Sequence, residues 1–129
     1  MNQIIEDYLA AWIDGADIDP KPEILTGTSN EVREPESHAA LVLADNIDHV
    51  VGPLYRASIK VVISSPTDNR SEHSAITSAI KMLMSAPCPP ASGFSSAGFK
   101  QTSYTTAVSG DGRWLSTFEG VLGVVWDAG

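Results

Sequence analysis

Three histidines, one cysteine and sixteen carboxylates are among the groups of this 129-residue chain able to carry acid–base, nucleophilic or metal chemistry. His38, His49 and His73 are scattered, with no HxH or HExxH pair to bring two imidazoles onto one metal. Asp45-Asn46-Ile47-Asp48-His49 sets two carboxylates beside an imidazole, a donor set a divalent cation can use. It lacks the alternating oxygens and the glycine of a calcium loop, so a polar turn is expected there. His73 follows Glu72 in the first turn of a predicted helix, where a solvated imidazole near the helix dipole is expected. Cys88, in Ala86-Pro87-Cys88-Pro89-Pro90, has no second cysteine for a disulfide, a zinc ribbon or a redox pair. No base adjoins it in sequence, and an inert loop thiol is expected. Ser109-Gly110-Asp111-Gly112 is neither a GxxxxGK[ST] loop nor a strand–GxGxxG–helix unit, and matches a hairpin turn. No catalytic set, metal site or cofactor site is expected, and the chain is taken as non-enzymatic. The competing possibility, a small ligand-binding or enzymatic α+β dimer, requires Asp45, Asp48, His49 and His73 to converge in a pocket.

The elements that would position these groups follow from hydrophobic period. Ile4, Ile5, Tyr8, Leu9, Trp12 and Ile13 form a helical stripe over residues 1–15, with Asn2 as cap, Glu6, Asp7 and Ala10 off the stripe, and Gly15 as stop. Residues 16–37 show no sustained period and form an acidic loop. Its length points to a functional loop or to a short strand around Glu23–Thr28. His38–Ala44 is a continuous apolar run suited to a buried strand, followed by a turn over Asp45–Pro53. From Tyr55 to Ser64 apolar and polar residues alternate, as in a half-buried strand, which breaks at Ser65-Pro66-Thr67-Asp68.

Asn69 with Glu72 three residues on matches a capping box opening a helix at 70–86, whose stripe is Ile76, Ala79, Ile80, Leu83 and Met84. Residues 86–98 form a Pro/Gly/Ser loop, and Phe99–Val108 a half-exposed strand. After the hairpin turn, Trp114–Trp126 gives a strand about 43 Å long at ~3.3 Å per residue, with Gly120 and Gly123 as places to bend. Trp12, Phe99, Trp114, Phe118 and Trp126 are expected in the core. The fold class is α+β: one domain, with a roughly four-stranded, mainly antiparallel sheet over 38–129 and two helices packed on one face.

Charge excludes one class of partner. The net charge is −8, and residues 1–50 hold eleven acids against Lys21 and Arg33, while the remainder is close to neutral. No Lys/Arg cluster exists to release counterions from a nucleic-acid backbone, so sequence-specific DNA or RNA binding is disfavoured. Charged residues at 19% and hydrophobic ones at 43% describe an ordinary globular chain. No apolar run reaches the ~18–20 residues of a membrane span, and the N-terminus lacks a signal-peptide pattern, so synthesis in the cytoplasm and no membrane partner are expected.

The stretch His38–Met84 resembles the tail-terminator and minor-tail proteins of long-tailed bacteriophages and phage-like particles. The resemblance is carried by the apolar strand Ala39-Ala40-Leu41-Val42-Leu43 after an acidic, Pro-containing lead-in. The alternating strand Tyr55–Ile63 follows, and then the helix opening with Asp68, Glu72 and His73 ahead of Ile76, Ile80 and Leu83. The leading helix and the closing hairpin Tyr104–Trp126 fit the same order. The resemblance implies a virion structural protein that forms a homo-oligomeric ring, typically a hexamer, at the head-proximal end of the tail tube. Such a ring stops tube polymerisation and joins the tail to head or neck, and DNA only passes through its lumen. Its partners would be copies of itself, the tube protein and head–tail connector or neck proteins. Glu31, Glu34 and Glu36 are then placed at the lumen or a subunit contact, and Pro87, Pro89, Pro90 and Phe94 in a contact loop. A head–neck connector or completion protein is the alternative within the virion.

Overall fold

The computed structural model describes residues 2–16, 18, 22–26, 38–66, 70–85, 94–108 and 113–126. Helix α1 (Asn2–Asp14) turns Ile5, Leu9 and Ile13 into the core, and the Gly15 N–H closes its last turn on the Ala11 carbonyl at 2.9 Å. Two stripe assignments change. Ile4 faces solvent at 48% exposure, whereas Glu6 is buried and its Oε2 accepts the Ala44 N–H at 2.8 Å. That carboxylate serves a strand irregularity that no helical period reveals.

The remaining elements are β1 (Glu23–Thr26), β2 (Ala39–Val51), β3 (Leu54–Pro66), α2 (Arg70–Ser85), β4 (Phe94–Val108) and β5 (Arg113–Trp126). They make a five-stranded mixed sheet in the order β1-β2-β3-β5-β4, with β1 parallel to β2 and every other pair antiparallel. The class is α+β with two helices among the described residues, as expected, but the described sheet has five strands in place of four. The added strand is the short one considered around Glu23–Thr28. At four residues it is too short to show a period, and its place comes from pairing Glu23 to Ala39 and Thr26 to Val42.

Strand alternation puts Ala40, Val42 and Ala44 of β2, Ala57, Ile59, Val61 and Ile63 of β3, and Phe118, Leu122 and Val124 of β5 on one face. Ile5, Leu9 and Ile13 of α1 and Ile76, Ile80 and Met84 of α2 pack onto that face in one continuous core.

Several boundaries differ from the sequence expectation. Asp45–Val51 is strand rather than turn: β2 continues past a bulge between Ala44 and Ile47, and the reversal is confined to Gly52-Pro53, with Gly52 at φ 55°. Glycine is required at that positive φ. Ser65 and Pro66 do not break the chain but extend β3, paired with Trp114 and Arg113. The loop expected to reach residue 98 is strand from Phe94 onward, with Phe94 paired to Trp126. Asn69, Cys88, the hairpin turn at 109–112 and residues 86–93 lie outside the described residues.

Gly120 and Gly123 mark irregularity, but on the neighbouring strand. The register of β4 shifts between Ser96 and Gly98, opposite Gly123, and between Gln101 and Ser103, opposite Gly120. At Gly120 a Cβ would lie 2.3 Å from the Lys100 carbonyl oxygen and 2.5 Å from the Phe99 ring, so the missing side chain lets Phe99 approach the sheet.

Candidate functional site

At one end of the helix-covered face the strands change from apolar to polar. Ile63 is followed on its own parity by Ser65, which pairs with Trp114, and the Ile63 partner on β5 is Ser116, which in turn pairs with Thr106 of β4. The first turns of α2 lower His73 onto this patch, and His38 enters from the residue before β2. A continuous relay results. His38 Nδ1 lies 2.7 Å and His73 Nδ1 2.8 Å from the Ser65 hydroxyl; His73 Nε2 lies 2.6 Å from Ser116 Oγ. Ser116 Oγ lies 3.1 Å from Thr106 Oγ1, which donates to the Tyr104 hydroxyl at 2.9 Å. Glu72 Oε1 stands 3.5 Å from His38 Nε2 at the other end.

The Thr106 donation sets the order of the protons, because each hydroxyl has one to give. Thr106 spends its proton on Tyr104, so Ser116 donates to Thr106 and His73 Nε2–H donates to Ser116. His73 Nδ1 then accepts from Ser65, whose oxygen accepts from His38 Nδ1–H. His38 Nε2 is left facing Glu72 Oε1. The pKa of His73 is lowered, first by burial and then by the charge of His38. Hydrogen bonding to Thr106 leads the causes that lower the Tyr104 pKa, joined by Ser116 and by the Lys81 charge, with burial opposing. Lys81 Nζ sits 4.9 Å from the Tyr104 ring centroid.

Around the relay, Thr77 Oγ1 donates to the His73 carbonyl at 2.8 Å, and Arg113 Nε donates to Ser64 Oγ at 2.6 Å. Trp114 stacks beside His73, with the Arg70 guanidinium over its indole. Among the described residues no buried side-chain nitrogen or oxygen lacks a partner.

Two imidazoles on one serine hydroxyl, with a carboxylate behind, have the composition of a nucleophile–base–acid set. Access is what such a set needs and this one lacks: Ser65 is 0% exposed, Ser116 1% and His73 3%. The arrangement can order protons and hold the start of α2 on the sheet, and neither buried serine offers its oxygen to a substrate. The solvated imidazole expected at residue 73 is therefore a buried one. Its position three residues before Ile76 and seven before Ile80 is the signal that places it on the buried stripe.

The other candidate groups do not join it. His49 lies on β2 at the far end of the sheet, its Nε2 donating to the Gly52 carbonyl at 2.8 Å and its ring against Tyr55. Asp48 pairs across the ladder with Arg56, on the parity opposite to His49. Among the described residues no group of three or more His, Cys, Asp or Glu can hold a metal ion. Glu31, Glu34, Glu36, Pro87, Pro89 and Pro90 lie outside the described residues, while Phe94 is the first residue of β4 rather than part of a loop.

What the molecule presents to solvent is a sheet edge. β4 ends the strand order, and every residue from Lys100 to Val108 is exposed, without a charge after Lys100. At the opposite end of the sheet the β2–β3 hairpin carries Val50 and Val51, the latter 65% exposed. Charge is graded across the strand order. Described residues of α1, β1 and β2 carry Glu6, Asp7, Glu23, Asp14, Asp45 and Asp48 with no Lys or Arg, whereas α2, β5 and β4 carry Arg70, Lys81, Lys100 and Arg113 against Glu72 and Glu119. No described helix is long and apolar enough to cross a membrane.

No protein-family model matches the chain, and no curated protein does. Solved structures do match: one covers 95% of this chain and 89% of its own at 16% identity, with a TM-score of 0.51. At that identity the likeness is one of fold, and it extends over almost the whole α+β arrangement described above.

Proposed function

We propose that this protein is a structural subunit of a phage or phage-like particle, acting as a tail terminator that closes into a ring on the head-proximal end of the tail tube. The observation that carries the reading is the long, uncharged, exposed edge of β4 on a scaffold whose converging Ser65, His73 and Ser116 side chains are buried. A sheet edge of that kind is protein-binding surface, because its backbone donors and acceptors are satisfied by another strand. The graded charge supports the same reading, since an acidic surface lets a DNA backbone pass without adhesion. In this reading Glu31, Glu34 and Glu36 contribute to the lumen or a subunit contact, and Pro87, Pro89 and Pro90 to contacts with copies, tube or neck proteins. Phe94 belongs with the sheet.

The test is capping. Purified protein added to polymerising tube subunits is expected to shorten tubes and to sit as a ring at one end in negative-stain images. Tubes of unchanged length with bare ends overturn the proposal.

A further inference from the structure

The two edges of the sheet are built to the same height. Following the ladder, Glu23 pairs with Ala39, Ala39 with Ser64, Ser64 with Leu115, and Leu115 with Ala107. Likewise Thr26 pairs with Val42, Val42 with Val61, Val61 with Phe118, and Phe118 with Tyr104. The whole of β1 therefore stands level with Tyr104–Ala107, and this part of β4 lies beyond its two bulges, in unbroken register from Ser103 to Val108. The strand directions also agree. β1 runs with β2, β3 runs against both, β5 against β3, and β4 against β5, so β1 and β4 are antiparallel to one another.

We infer that the β4 edge of one copy takes β1 of the next copy as an antiparallel neighbour, continuing the sheet from subunit to subunit. Rotation about an axis parallel to the strands keeps heights and directions, so it brings Glu23 of the next copy opposite Ala107, Ile24 opposite Thr106, Leu25 opposite Thr105 and Thr26 opposite Tyr104. Facing also matches. Ile24 and Thr106 both lie on the helix-covered side, level with Ala40, Ile63 and Ser116, while Leu25 and Thr105 both lie on the other.

The occupant is a second copy because the charge gradient is head-to-tail. The α1–β1–β2 side, whose charges among the described residues are all carboxylates, meets the side bearing Lys81 and Lys100, whereas like edges repel. Such a contact is heterologous and leads to a ring or a filament. It rests on the terminator reading only for its closure into a ring.

Register-specific cross-linking tests the contact. In a Cys88→Ser background, the pair Glu23→Cys and Ala107→Cys is expected to give, on oxidation, a ladder of linked chains ending at a closed ring. The pair Glu23→Cys and Lys100→Cys should give none, because Lys100 and Ala107 stand six ladder levels apart, which displaces the thiols by ~20 Å along the strand, beyond the ~7 Å Cα separation a disulfide bridges. A charge swap supplies the second readout. Ala107→Glu, opposite Glu23, should weaken association about two- to fivefold per contact in sedimentation, and adding Glu23→Lys should restore it. Absence of linked species with the matched pair, equal linking by the displaced pair, or a double variant no better than Ala107→Glu overturns the inference. A cross-linked ring that fails to cap tubes removes the terminator reading and leaves this contact. Capping by a protein that does not cross-link does the reverse.

Discussion

Lowering the pH from 8 to 5 should destabilise this protein through His73, and the size of the effect is bounded by one proton. In the unfolded chain a histidine titrates near 6.5. In the folded protein burial and the charge of His38 hold the His73 pKa below that value. Above pH ~6.5 both states leave His73 neutral, and it contributes no pH dependence. Below it the unfolded chain takes a proton that the native site refuses, so stability falls with pH until the lowered native pKa is passed. The slope from this residue reaches at most about 1.4 kcal/mol per pH unit. Ser65 and Ser116 from the sheet bond its ring and Trp114 stacks beside it; His38, the residue before β2, shares the Ser65 hydroxyl, with Glu72 of α2 behind His38 and Arg70 of α2 over Trp114.

His73→Gln isolates the contribution. The amide can accept from one serine and donate to the other, so packing and pairing are largely kept while the titration is removed. Urea unfolding at half-unit pH steps is expected to show a shallower decline below pH 6.5 in the variant than in the wild type. Equal slopes, or an imidazole signal of native His73 that titrates at 6.5 or above, would refute the reasoning. Ser116→Ala addresses the same relay at fixed pH. It strips the His73 Nε2–H of its acceptor in a buried site and should cost about 1–3 kcal/mol at pH 8.

Two further outcomes follow from backbone geometry. Gly120→Ala puts a methyl against the Lys100 carbonyl and the Phe99 ring, and since a strand carbonyl cannot swing aside, a loss of about 2–3 kcal/mol is expected by thermal or urea unfolding; a loss under ~0.5 kcal/mol would contradict the packing described. Gly52→Ala meets nothing within 4 Å, so its cost is only that of the positive φ, about 1 kcal/mol, and it should leave the Gly120 region unchanged in amide exchange.

How far the sequence discloses the fold depends on whether one period survives through an element. Residues 55–64 and the Ile76–Ile80–Met84 stripe keep theirs, and β3 and α2 lie where the periods put them. In β2 the alternation Ala40, Val42, Ala44 is interrupted by a bulge and resumes at Ile47, so the polar stretch Asp45–Val51 looks like a turn although it is ladder. β1 has no pattern of its own and exists through its neighbour. The relay is hidden for a different reason. Ser65, His73 and Ser116 each sit on the buried parity or stripe of their element, but they are separated by 8 and 43 residues along the chain. Only the register of β3 against β5 brings the two serines together under the helix. Sequence spacing can report an imidazole pair on one helix; it cannot report one assembled across a ladder.

The sealed relay and the open edge bear on each other. Thr106 and Tyr104, where the donor chain ends, belong to the same β4 stretch that stands level with β1, so the edge offered to a neighbour is fastened from within by side chains rather than by a helix laid across it. A long edge strand with no charge after Lys100 invites indiscriminate pairing unless its twist and position are fixed. The bulge at Gln101/Ser103, the Phe99 ring seated over Gly120 and the Ser116–Thr106–Tyr104 bonds supply that fixing on the helix side, leaving the outward backbone groups straight and in register. Loosening the relay should therefore weaken self-association as well as folding. In Ser116→Ala, amide protection of Tyr104–Val108 should fall further than that of Val61–Ile63, which falls only by the global loss, and concentration-dependent association should weaken in parallel. Unchanged association with β4 protection lost would separate the edge from the relay and refute the coupling.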